Sequence, residues 1–202
     1  MTLYDLKPRF QSLLRPLVHR LATAGVTANQ VTVTAAIGSV ALGALLTMRP
    51  SDRSLFLLLP VWLAVRMALN AIDGMLAREF GQKSRLGGYL NELCDVVSDA
   101  ALLLPFPFVA PFSQTAVFAV IGLAGLAEYA GVMGPLVGAS RRYDGPLGKS
   151  DRAALVGALA LWIGLGLPLP PWMAWAMPAA ALLLILTAIN RVRRGLQEGQ
   201  SP

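Results

Sequence analysis

The chain has 202 residues, 55% of them hydrophobic and 14% charged, and a mean hydropathy of +0.60, which is too apolar for an ordinary soluble domain. Its formal net charge of +6 is accounted for by membrane topology and anionic lipid, so the basic excess calls for no nucleic-acid partner. The single cysteine, Cys94, excludes an intrachain disulfide and reads as a small packing residue.

In chain order, residues 1–24 read first as an amphipathic helix on the membrane surface. Leu3, Leu6, Phe10, Leu13, Leu14, Leu17 and Leu21 recur at helical spacing, with Lys7, Gln11 and Arg15 between them. Charges run throughout this stretch and no continuous apolar core interrupts them, so no cleavable signal peptide is expected. Six apolar runs follow, near 30–48, 55–77, 88–110, 114–139, 153–168 and 171–190, each to be compared with the roughly 20 residues that cross a hydrocarbon core. The fold class expected is therefore all-α integral membrane, six transmembrane helices after an interfacial helix, in one domain over 1–202. Turn residues separate the runs at Arg49–Asp52, at Pro105, Pro107 and Pro111, at Asp144–Pro146 and at Leu167–Pro171. From Gly195 onward the chain is expected to fray.

The basic residues give an independent topology. Lys7, Arg9, Arg15 and Arg20 precede the first span, and Arg78, Lys83 and Arg85 follow the second. Arg141, Arg142, Lys149 and Arg152 follow the fourth, and Arg191, Arg193 and Arg194 the sixth. With six spans these fourteen of the seventeen basic residues share one side, leaving Arg49 and Arg53 opposite and Arg66 inside the second span. The positive-inside rule then puts both termini in the cytoplasm.

Polar groups interrupt the second and third spans. Asn70 and Asp73 share a face at the end of one, and Asn91, Asp95 and Asp99 share a face along the other, with Glu92 nearby around the axis. A charged side chain at the centre of a membrane helix costs about 2.5–3.5 kcal/mol, so these positions mark a functional site. Oxygen ligands from two facing helices suit a hard divalent cation, which neutralises diphosphate charge in phosphoryl transfer. Gly74 and Ala77 beside Asp73 leave two readings open, close helix packing and room for a nucleotide base. Arg66 and Glu128 are charges within spans that need partners, either each other or polar groups of the site. The segment Gly145–Arg152 has the lysine and serine of a P-loop without its glycine spacing or preceding strand, and is not one.

Residues 70–95 closely resemble the signature of the class I CDP-alcohol phosphatidyltransferases, D-x-x-D-G-x-x-A-R-x8-G-x3-D-x3-D. Asp73, Gly74, Ala77, Arg78, Gly87 and Asp95 match it, while Asn70 and Asn91 stand at the first and third aspartate positions. The resemblance implies transfer of a phosphatidyl group from CDP-diacylglycerol to a small alcohol with release of CMP. It implies Asp95 as general base and Mg²⁺ or Mn²⁺ held by Asp73 and Asp95 with Asn70 and Asn91, where the family binds two ions. Nucleotide contacts would come from Asp73, Gly74, Ala77, Arg78, Ser84 and Gly87, with Asn29 in a position where the family often has a similar asparagine. Acceptor binding is expected from Arg141, Arg142, Lys149, Arg152 and Arg191, whose charge favours glycerol 3-phosphate over inositol phosphate or an uncharged alcohol. The resemblance further implies a homodimer in the bacterial inner membrane with its site on the cytoplasmic side.

The two asparagines remove two negative charges, and charge count governs divalent affinity. Weaker metal binding, a single ion, compensation by Glu92 and Asp99, or loss of catalysis would each accommodate them. The last defines the alternative function, a non-catalytic relative that binds nucleotide-lipid or a partner enzyme. A transporter fits less well, because the charged groups cluster at one membrane face.

Overall fold

The computed structural model describes residues 3–199, with side chains from Phe10 onward. Leu3, Leu6, Lys7 and Arg9 of the expected interfacial helix have side chains outside the described set, as do the last three residues of the expected tail. Seven α-helices and no strand occur among the described residues: α1 (Leu3–Thr23), α2 (Ala28–Met48), α3 (Leu58–Glu79), α4 (Arg85–Leu103), α5 (Gln114–Val132), α6 (Lys149–Gly164) and α7 (Ala176–Gly199). Short 3-10 turns precede α3 and α7 and follow α4 and α5.

Local chemistry sets the helix ends that matter for the site. Thr27 caps α2, its hydroxyl accepting from the Gln30 amide at 3.2 Å while Gln30 Oε1 accepts from the Thr27 amide at 2.8 Å. Ser84 caps α4 by accepting from the Gly87 amide at 2.9 Å. Asp151 Oδ2 accepts from the Gly148 amide at 2.9 Å and so starts α6. Between α3 and α4, Gln82 reaches back across the fold, accepting from the Ala28 amide at 2.7 Å and donating to the Val26 carbonyl at 3.3 Å. The starts of α2 and α4 are thereby held beside the end of α3.

Helix α2 packs on both α3 and α4, α5 on α7, and α6 on α3, while α1 lies along α3. At Gly43 a Cβ would collide with the Ala101 backbone, so α2 and α4 meet main chain to main chain. A large apolar cluster including Phe56, Phe106, Val117, Ile163 and Met177 fills the end away from the polar residues. A smaller one, with Val18, Val31, Ile72 and Leu76, supports the helix ends at the polar side.

Four helical stretches are long and apolar enough to cross a membrane: Ala28–Met48, Arg53–Glu79, Gln114–Val132 and Pro171–Gly199. Helices α4 and α6 occupy the expected third and fifth positions, α4 with its polar row and α6 with 16 residues. Three boundaries differ from expectation. The third run ends as an α-helix at Leu103, before Pro105 and Pro107, and the fourth at Val132, before Gly134 and Pro135. The expected fraying from Gly195 does not occur up to Gly199, because Glu198 Oε1 and Oε2 accept from the amide and hydroxyl of Ser140 at 3.1 and 3.0 Å. A polar helix end that would fray alone is thus held by a tertiary partner.

Candidate active site

The ends of α2, α3 and α4 enclose a cleft of about 340 Å³. Asn29, Asp73, Gly74, Ala77, Arg78, Ser84 and Gly87, the whole expected nucleotide set, line it together with Thr32, Gln82, Lys83, Asn91 and Glu92. Asp73 is buried and its Oδ2 accepts from the Thr32 hydroxyl at 2.8 Å. The glycines keep the cleft open. A Cβ on Gly74 would come within 3.0 Å of the Arg78 guanidinium, and one on Gly87 within 2.8 Å of Asn29 Oδ1. The nearest contacts of a Gly74 Cβ are thus with a side chain of its own helix, at the wall of the cleft.

Farther along α4 the polar row enters a closed set of ion pairs. Arg66, buried on α3, donates from Nη1 to Asp99 Oδ1 at 2.6 Å and from Nη2 to Asp95 Oδ1 at 3.1 Å. Lys149 donates to the other Asp95 oxygen. Arg152 on α6 bridges Asp99 Oδ2 and Glu128 Oε1, both at 2.8 Å from its Nη2. Arg191 on α7 reaches Glu128 Oε2 at 3.1 Å and the Ala127 carbonyl at 2.6 Å. Arg141 pairs with Glu92 and stands 3.5 Å from Glu128 Oε2. Arg66 and Glu128 therefore do not pair with each other; both pair with groups of the polar site.

The expected residues thus separate into groups. Arg141, Lys149, Arg152 and Arg191 converge on the carboxylates of α4 and α5, whereas Arg142 turns to Asp144 at 2.9 Å and to Glu198. Asp99 has an arginine on each oxygen, whereas Glu92 is paired with Arg141 through one oxygen and lines the cleft. Sequence reasoning does not single out Arg66 as the partner of the aspartates. The signal for it is the position of Arg66 four residues before Asn70, on the same face of α3. Glu198 is missed as well, and it has no local signal.

Among the described residues no three His, Cys, Asp or Glu side chains gather as a cation site. Asp73 and Asp95 are close enough for their charges to interact, with Lys149 within reach of both. Asn91 lines the cleft one turn before Asp95, and Asn70 lies one turn before Asp73. Two carboxylates and two amide oxygens are a donor set for one hard divalent ion. They do not make the four-carboxylate set of a two-ion site.

The segment leading into α6 is clamped from outside the membrane-spanning part. Asp144 accepts from Arg142 Nε and from Arg194 Nη1, each at 2.9 Å. Burial raises the Asp144 carboxyl, but the Arg142 hydrogen bond and charge, with Arg194, outweigh it and hold it below the usual carboxylate range. Glu198 is held low by the Ser140 amide and hydroxyl and then by Arg142. A depressed carboxyl stabilises the fold above its unfolded value of about 4 and loses that contribution as pH falls through its lower native value. The Asp144→Asn/Glu198→Gln variant should accordingly show a flatter fall in melting temperature than the natural chain as pH is lowered from about 6 to about 3 in detergent. Parallel curves would remove the clamp.

Both the sequence and the fold resemble those of known proteins. The family model described as CDP-alcohol phosphatidyltransferase matches residues 25–187. "Inner membrane protein YnbA" of Escherichia coli (strain K12) is 48% identical over 197 residues, covering 96% of each chain. A phosphatidylinositol phosphate synthase of Mycobacteroides abscessus is 28% identical, covering 91% of this chain and 85% of its own. The solved phosphatidylinositol phosphate synthase of Mycobacterium tuberculosis with CDP-DAG bound superposes with a TM-score of 0.74 at 22% identity, over 93% of this chain and 96% of that one. The same enzyme in complex with manganese and citrate gives a TM-score of 0.74 at 21% identity, over 93% and 91%.

Proposed function

The chain belongs to the CDP-alcohol phosphatidyltransferase family, and from that premise we propose that it transfers a phosphatidyl group from CDP-diacylglycerol to a small alcohol, releasing CMP. The observation that carries this reading is the convergence of all seven expected nucleotide residues on one cleft. Arg78 and Lys83 offer charge to a diphosphate there, and Asn29 and Ser84 offer hydrogen bonds. Mg²⁺ or Mn²⁺ held by Asp73 and Asp95, with Asn70 and Asn91 as amide ligands, would neutralise diphosphate charge. The mycobacterial enzyme solved with manganese and with CDP-DAG supports both parts of the assignment.

In the reaction, an acceptor hydroxyl oxygen bonds to the β-phosphorus of CDP-diacylglycerol. The bond from that phosphorus to the bridging oxygen breaks, and its electron pair leaves with CMP. Asp95 takes the hydroxyl proton. Both its oxygens are engaged by cations, so one must be released first, and Lys149, 37% exposed at the first turn of α6, is the partner able to withdraw. Arg66 then keeps the carboxylate oriented. Glycerol 3-phosphate is the acceptor that the number of basic residues suggests, and the phosphatidylinositol phosphate synthases among the relatives make inositol phosphate a second candidate.

CMP release by the purified protein from CDP-diacylglycerol, with Mn²⁺ or Mg²⁺ and a panel of alcohols, tests the assignment. Asp95→Asn should slow it by about 10²–10⁴ with the fold retained, as expected for loss of a general base. A natural chain inactive with every alcohol, beside an Asn70→Asp/Asn91→Asp variant that releases CMP, would identify a non-catalytic relative.

The same reading puts six spans in a bacterial inner membrane, with α1 on the cytoplasmic surface, both termini and the site on that side, and the chain as a homodimer. The distribution of basic residues supports it. At about 24 Å, 16-residue α6 is the shortest span and falls short of the hydrocarbon core of about 30 Å. A cytoplasmic reporter fused to the C-terminus should be active and an external one silent; the reverse pattern would overturn this topology.

A further inference from the structure

The basic groups expected to receive an anionic acceptor already hold an anion, and it belongs to the chain. The Glu128 carboxylate lies among three guanidinium groups, at 2.8 Å from Arg152, 3.1 Å from Arg191 and 3.5 Å from Arg141. Glu128, Arg152 and Arg191 are 8%, 4% and 2% exposed. Several guanidinium groups converging on one anion is also how a bound phosphate is held. An incoming phosphate would have to expel Glu128 and leave it buried and unpaired, which is strongly unfavourable.

The groups that remain partly open beside Asp95 are themselves paired. Lys149 is closed on Asp95 and Arg141 on Glu92. A phosphate placed there would meet two carboxylates as well as the two cations. A hydroxyl group, which both donates and accepts, suits such alternating pairs. Arg141 also carries the single buried side-chain nitrogen without a hydrogen-bond partner among the described residues, its Nε, which needs an oxygen acceptor and no counter-charge.

We propose that Glu128 takes the place of an acceptor phosphate and makes this chain specific for an uncharged polyol. The inference rests on the transferase reading above and narrows its substrate, against both glycerol 3-phosphate and inositol phosphate. The chemistry of transfer is unchanged; only the charge carried by the acceptor differs.

The test compares matched acceptors on the natural chain in nanodiscs, with CDP-diacylglycerol and Mn²⁺: glycerol against glycerol 3-phosphate, and inositol against inositol 1-phosphate. CMP release should favour the uncharged member of each pair by at least about tenfold in kcat/KM, near the lower end of the penalty for a buried polar group left unsatisfied. Glu128→Gln should shift that preference toward the phosphorylated member, and inorganic phosphate should raise its melting temperature while leaving the natural chain unmoved. Preference of the natural chain for either phosphorylated acceptor would overturn the proposal, whether or not Glu128→Gln folds. Absence of CMP release with all four would sink the transferase reading instead. The phosphate-induced shift, read on both proteins, would then decide the role of Glu128 alone, and equal stabilisation of the two would refute it.

Discussion

Charge pairing inside the helix bundle is the constraint on which the rest of this structure depends. Asp99 is shared by Arg66 and Arg152, and Glu128 by Arg152 and Arg191, so the chain of contacts passes through α3, α4, α5, α6 and α7. Buried ions lose hydration worth several kcal/mol each and recover it only where every oxygen and guanidinium edge is engaged. Both oxygens of Asp99 and both of Glu128 meet that condition. Helices α4 and α6, which fall outside the set long and apolar enough to cross a membrane, each contribute a member, Asp99 and Arg152. The pairing thus gives the less apolar helices a reason to sit where they do.

The cleft and the pairing meet along α4. On one side lie the glycines and polar ends of α2, α3 and α4, an open volume with Asp73 at its wall. On the other lies the closed set around Asp99 and Glu128. Asp95, one turn beyond Asn91 of the cleft, is fixed through Arg66 and coupled to the start of α6 through Lys149. The segment that delivers Lys149 is in turn tied to the end of α7 through Arg142, Asp144 and Glu198. Asp95 is consequently connected to a segment anchored outside the bundle.

Much of this is legible in the amino-acid sequence. Apolar runs and turn residues locate α2, α3 and the start of α5 to within a few residues, because those boundaries are fixed by local composition and turn chemistry. The signature residues of the cleft are legible through the family resemblance, whose pattern runs over two consecutive helices. Partners are not. The row Asn91, Asp95, Asp99 reads as one face, yet it divides, with Asn91 in the cleft and Asp99 between two arginines. Arg141 and Arg142 are adjacent, but in irregular backbone they point to different carboxylates. Glu198 lies in a polar stretch whose composition suggests fraying, and the Ser140 that orders it is 58 residues away. Contacts between elements distant in sequence carry no periodic signal.

The most direct measurement is a double-mutant cycle between Arg66 and Asp99, using Arg66→Met, Asp99→Leu and the pair, with unfolding free energies read from denaturation in detergent. Each single change removes one partner from a charge that keeps a second, Asp95 for Arg66 and Arg152 for Asp99, and should cost on the order of 1.5–3 kcal/mol. The pair should cost clearly less than the two singles together, with a coupling of about 1–3 kcal/mol. Additivity within about 0.5 kcal/mol would mean that the two side chains do not sense each other, and would contradict a bundle organised around internal charge pairing.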